Sequence, residues 1–108
     1  MSPAPQDTLL VFITCPATAA DALAGALVET RLAACVHLLP AGRSVYRWQG
    51  AVERADEVQL IAKTSQARYT ELEAEVRRLH PYELPEVVAV NLACGLPAYL
   101  QWIHESTT

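Results

Sequence analysis

The chemistry available to this 108-residue chain is concentrated in three histidines, three cysteines and one proline-rich acidic segment. His80 is followed by Pro81, Tyr82, Glu83, Leu84, Pro85 and Glu86, a stiff stretch that sets two carboxylates and a phenol near an imidazole. Imidazole nitrogen with carboxylate oxygen suits Cu(II) or Zn(II). The same histidine also reads as a helix C-cap, its imidazolium favouring the negative end of the helix. Glu83 and Glu86 admit an acid/base pair, although nothing beside them identifies a substrate. Cys15, in Thr14-Cys15-Pro16, falls between a strand and a helix, where amides at the helix start lower a thiol pKa and favour a nucleophile. It has no CxxC partner, and its structural reading is a small residue in a tight loop. Cys35 and His37 alternate on a strand and face the same way, either as soft and imidazole donors for Cu or Zn or as a buried thiol beside an exposed histidine. Lys63, at a strand end, is an anion partner in a cleft or a plain exposed lysine, and His104 reads as solvated. No glycine-rich phosphate loop, HExxH, GxSxG or Walker run occurs in the chain.

The elements that must position these groups follow from periodicity. Residues 8–14 (TLLVFIT) are apolar throughout and predict a strand buried on both faces. Thr18 and Asp21 approximate a capping box for a helix in which Leu23, Ala24, Leu27 and Val28 recur up to about Thr30. Residues 33–39 (AACVHLL) and 44–49 (SVYRWQ) predict one long second strand, bent or bulged at Pro40, Ala41 and Gly42. Gly50 and Ala51 suit a type II′ turn into a third strand with Val58, Leu60 and Ala62 on one face. Thr64 or Ser65 caps a second helix carrying Tyr69, Leu72, Val76 and Leu79, with Glu73 and Arg77 as an i,i+4 pair, and Pro81 ends it. Residues 82–86 are extended, residues 87–93 form another buried strand, and Pro97 opens a terminal helix presenting Tyr99, Leu100 and Ile103, with Trp102 adjacent. The order β-α-β-β-α-β plus one helix is ferredoxin-like, an α/β (α+β) fold with both long helices on one face of an antiparallel sheet. The opposite face carries apolar residues too, so an obligate homo-oligomer is expected to cover it.

Composition bounds the function. The chain is 52% hydrophobic and only 19% charged, with eight basic against twelve acidic residues and a formal charge of −4. That is one domain, 8–108, behind a short flexible arm, 1–7, with no basic surface for nucleic acid and no apolar run that spans a bilayer. Three widely spaced cysteines and no secretory signal predict reduced thiols and a cytoplasmic protein.

Several segments together, Leu32-Ala33-Ala34-Cys35-Val36, Tyr46-Arg47-Trp48-Gln49-Gly50, Lys63-Thr64, His80-Pro81-Tyr82-Glu83-Leu84-Pro85-Glu86 and Tyr99-Leu100-Gln101-Trp102, resemble the CutA family of divalent-cation tolerance proteins. The likeness runs from about Thr8 to Glu105. It implies a ferredoxin-like subunit in a homotrimer built like the PII signalling proteins, clefts between subunits, no catalytic activity, and a link to divalent metals, copper above all. Carried over by position, it makes His80 and Glu83 the candidate copper ligands and puts Trp48, Lys63, Tyr82 and Glu86 near the cleft. Some members carry a proposed sulfur ligand just before the threonine that ends the first strand. Here that position is Ile13, and the nearest thiol is Cys15, which has entered the loop. This departure favours a His/carboxylate site for Cu(II), or for zinc, over a soft Cu(I) site with Cys15. The resemblance also admits a second function, a PII-like scaffold or sensor binding a small molecule or partner protein in the cleft.

Overall fold

The apolar run after Asp7 becomes strand β1, Thr8–Cys15, in a computed structural model that describes residues 3–108. The chain continues through α1 (Ala17–Glu29), β2 (Cys35–Leu38), β3 (Gly42–Trp48), β4 (Ala51–Ser65), α2 (Tyr69–Leu79), β5 (Val87–Asn91) and α3 (Pro97–Ser106). The sheet order is β2-β4-β1-β5 with every pairing antiparallel, the ferredoxin-like arrangement that the element order implies. Register puts Leu9, Val11, Ile13 and Cys15 on the same face as Val58, Leu60 and Ala62. Leu23 and Leu27 of α1 and Leu72 and Val76 of α2 close over them as one core.

Four local expectations give way to the tertiary arrangement. The long second strand is two strands, because the pairing with β4 lapses at Pro40 and Ala41 after the Leu39 amide donates to the Gln59 carbonyl, and β2 and β3 pair with successive parts of the 15-residue β4. The hairpin turn is Gln49-Gly50, both left-handed at φ 49° and 82°, between the paired Trp48 and Ala51. That is a type I′ turn rather than the type II′ turn over Gly50 and Ala51, and it matches the right-handed twist of the two strands. The helix starts are not capped by side chains: Pro16 stands at the N-cap of α1, its carbonyl accepting the Ala19 amide, so Thr18 and Asp21 lie inside the helix. Before α2, Thr64 donates to the Leu32 carbonyl at 2.7 Å and Ser65 accepts from Thr107, and a 3-10 turn over Gln66–Arg68 leads in instead. Glu73 accepts from the Tyr69 hydroxyl rather than pairing with Arg77, and the ion pairs of this region are Arg68–Glu71 and Glu75–Arg78.

α3 packs on the face opposite α1 and α2. His104 meets Thr8, Lys63 meets Tyr99 and Thr107 meets Ser65, all at sheet positions out of phase with the core. Beyond α3 this face is open in one chain: Leu10, Phe12 and Ile61 are half-buried, and Val88 and Val90 of β5 are 55% and 49% exposed. The expected buried strand over residues 87–93 therefore ends at Asn91 and is exposed on this side. The outer half of β4, residues 51–57, carries only β3 and forms a two-stranded arm beyond the pairing with β1 and β2. Of the arm expected over residues 1–7, Met1 and Ser2 lie outside the described residues, while Pro5–Asp7 form a 3-10 turn whose Gln6 carbonyl accepts from Asn91. Among the described residues no helix is long and apolar enough to cross a membrane.

Candidate functional site

The proline-rich segment and the hairpin meet where β3 and β4 leave the body of the fold. Helix α2 ends at Leu79 because Pro81 disfavours helical geometry at the residue before it, and His80 is extended at φ −74° and ψ 138°. The chain then turns under the end of β1, and residues 81–84 with Glu86 form one wall of a cleft of about 690 Å³. Residues 44–48 of β3 form the other wall, and Thr14 and Glu57 close its inner end. Its side chains include the aromatic rings of Tyr46, Trp48 and Tyr82, the carboxylates of Glu57, Glu83 and Glu86, and the guanidinium of Arg47. Tyr46, Trp48, Tyr82, Glu83 and Glu86 are exposed, whereas Glu57 is 8% exposed. A volume in this range, with aromatic walls and a few polar groups, is that of an ordinary ligand pocket.

Electrostatics at the inner end oppose ionisation of its weak acids. Burial, then the neighbouring Glu57 carboxylate, pushes the Tyr82 phenol up to about 12, with Tyr46 and Cys15 adding to it. The Cys15 thiol is likewise raised, first by burial and then by Glu57. Cys15 is not in a loop: it is the last residue of β1, pairs with Val58 and is fully buried in the core. A buried thiol facing a carboxylate is the opposite of the electropositive, exposed setting that makes cysteine a nucleophile or a ready sulfur ligand.

His80 also stands differently from its expected role as a ligand. The ring is 7% exposed, its Nε2 lies 2.7 Å from the Thr14 carbonyl oxygen, and its Nδ1 lies 3.1 Å from the Tyr82 amide nitrogen. Both ring nitrogens are thus engaged by backbone. It is the helix C-cap residue, but through its own amide, which donates to the Val76 carbonyl at 2.8 Å. Among the described residues no three His, Cys, Asp or Glu converge as a metal would need, so the donors of one chain do not fit a complete metal centre.

Within one chain, Trp48, Tyr82 and Glu86 of the expected cleft residues line this cleft together with Glu83, expected as a ligand, and Lys63 lies outside it. Lys63 sits on the open sheet face, donating to the Tyr99 hydroxyl at 3.2 Å, a bond that holds its ammonium pKa above the usual lysine value. Cys35, its cross-strand partner, lies 3.8 Å from the same hydroxyl, so it is half-exposed beside α3 rather than a core thiol. Tyr99 and Trp102 stack with ring centroids 5.5 Å apart and are both exposed, while Leu100 and Ile103 supply the buried side of α3. His104 is tied to buried Thr8 at 3.1 Å instead of being free in solvent. Sequence reasoning missed Glu57. A glutamate in the charged run Glu53-Arg54-Ala55-Asp56-Glu57 gives no sign of burial until the proline-rich segment folds against it.

The structure thus defines a class by its fold and site: a ferredoxin-like domain with a projecting hairpin, whose cleft is walled by the YRW segment and by residues of the HPYELPE segment. The sequence profile of the CutA1 divalent ion tolerance protein family matches residues 9–106. The chain belongs to that family. It is 46% identical over 99 residues to the divalent-cation tolerance protein CutA of Thermus thermophilus, covering 91% of this chain and 96% of that one. It is 42% identical over 104 residues to protein CutA of Mus musculus, 95% of this chain but 59% of that protein's length. The crystal structure of CutA from Xylella fastidiosa superimposes with a TM-score of 0.91 at 44% identity, over 94% of this chain and 99% of that one.

Proposed function

We propose that this member of the family serves divalent-cation tolerance as a cytoplasmic homotrimer that binds copper, as Cu(II), at the mouth of the cleft. The observation that carries the reading is that the cleft gathers the carboxylates of Glu83 and Glu86 at an exposed rim and stops short of a full donor set within one chain. Neighbouring copies would supply the rest. The open apolar face formed by Leu10, Phe12, Ile61, Val88 and Val90, and the bare backbone edge of residues 51–57, support such an assembly. Carboxylate oxygens suit Cu(II) or Zn(II) better than Cu(I), in keeping with a Cys15 that is buried away from the rim. The free state of all three cysteines supports the cytoplasm as its compartment.

The test is calorimetric titration of metal-free protein with Cu(II) at neutral pH, with chain mass followed by light scattering. The double substitution Glu83→Gln with Glu86→Gln is expected to abolish stoichiometric binding while the mass stays that of three chains. Binding unchanged by the double substitution overturns the carboxylate site. No binding by the parent protein favours the second reading, a PII-like scaffold whose cleft takes an organic molecule or a partner's side chains. The aromatic walls and pocket-sized volume support that reading.

A further inference from the structure

We propose that His80 is a positioning residue of the cleft and not one of its ligands: a neutral imidazole that pins the wall carrying Tyr82 and Glu83 to the end of the central sheet. Two backbone contacts define its protonation state. The Tyr82 amide can only donate, so Nδ1, 3.1 Å away, must accept and be bare of a proton. The Thr14 carbonyl can only accept, so Nε2, 2.7 Å away, must carry the proton and donate it. These requirements are mutually consistent for one species alone, the neutral Nε2–H tautomer. An imidazolium would face the Tyr82 amide with a second donor, and the other tautomer would leave both contacts unmade.

The arrangement leaves no lone pair for a cation. Nε2 has none while it donates to Thr14, and the Nδ1 lone pair is taken by Tyr82. Coordination through Nδ1 would free a backbone amide of the cleft wall. Coordination through Nε2 would move the proton to Nδ1 and break both contacts. The ring is also 7% exposed, with the Tyr82 ring packed against it at a centroid distance of 4.8 Å. The structural consequence is long-range: Thr14 belongs to β1, at the centre of the sheet, and lines the inner end of the cleft, while Tyr82 belongs to a segment with no strand or helix of its own. The imidazole is a polar link that ties that segment to β1 through two backbone groups, with Pro81 fixing the direction in which the chain leaves the ring.

This inference rests on the cleft as the working site only for its functional consequence, and its tautomer is read on metal-free protein before Zn(II) is added. Long-range proton–nitrogen correlation spectra of uniformly labelled protein at neutral pH are expected to show His80 with Nε2 protonated and Nδ1 bare. Addition of Zn(II), a diamagnetic probe, is expected to leave both nitrogen shifts in place. A proton on Nδ1, or movement of either nitrogen on saturation with Zn(II), overturns the proposal whatever the cleft binds. Hydrogen exchange of the Tyr82 amide supplies a second readout. His80→Gln keeps one donor and one acceptor and is expected to retain most of the protection, and His80→Ala is expected to lose about tenfold or more. Equal protection in both variants and the parent overturns the pin, and if the alanine variant fails to fold, the tautomer and Zn(II) spectra decide alone. Failure of copper binding in the parent protein would sink the proposed function and leave these spectra unaffected.

Discussion

Desolvation and the neighbouring Glu57 carboxylate keep the proton on two weak acids at the inner end of the cleft, the Tyr82 phenol and the Cys15 thiol. Tyr82, with its phenol pushed up to about 12 by burial and by Glu57, is expected to ionise well above the ordinary tyrosine value. Ultraviolet titration of the parent against Tyr82→Phe isolates its transition. The phenol binds its proton more tightly in the folded chain than in the unfolded one, whose value is 10.0. Its contribution to stability is therefore whole below pH 10 and is lost as pH rises toward 12. Denaturant midpoints over that range are expected to fall more steeply for the parent than for Tyr82→Phe. Thiol labelling separates the cysteines by the same physics: exposed Cys94 is expected to react at once under native conditions, and Cys15 only on unfolding, because it is buried and its pKa is raised. The residue types of the site were legible from the HPYELPE and YRW segments. Their roles were not: imidazole beside carboxylate reads as a metal pair until one sees two backbone groups on the ring.

At the scale of elements, periodicity located the strands and helices well where one side faces the core. The inner half of β4 follows its apolar alternation, and α2 buries Leu72 and Val76 of its helical stripe while Leu79 stays exposed; β1, apolar throughout, alternates in burial because only one of its faces meets the core. Leu72→Ala, in α2 and fully buried, is expected to cost about 2–5 kcal/mol in chemical denaturation, from lost transfer free energy and the cavity left behind. Ends and turns were less legible because competing partners decide them. The hydroxyls of Thr64 and Ser65 go to Leu32 and Thr107, both distant in sequence, rather than to the helix beside them. At the hairpin, Gly50 at φ 82° is the position where a Cβ is strained although nothing crowds it, so Gly50→Ala is expected to destabilise by about 1 kcal/mol. An equal or greater stability for that variant would contradict the type I′ turn.

At the scale of the whole molecule, the sheet has one face under α1 and α2 and the other only partly under α3. If further copies cover the remainder, Val90→Asp, which puts a carboxylate among the apolar residues of that face, is expected to lower the mass in light scattering from three chains toward one. An unchanged trimer would place the interface elsewhere. What the sequence determined alone was the ferredoxin-like order of elements, the composition of the core and the family, because these depend on local periodicity and on runs of contiguous residues. The tertiary structure decided the rest: that Glu57 is buried, that Cys15 faces inward, that Lys63 belongs to α3's side of the sheet and that His80 clamps β1 to the cleft wall. Each of those depends on a partner far away in the chain, and the direction of a side chain at the end of a strand or helix is set by what packs there, which no spacing along the sequence encodes.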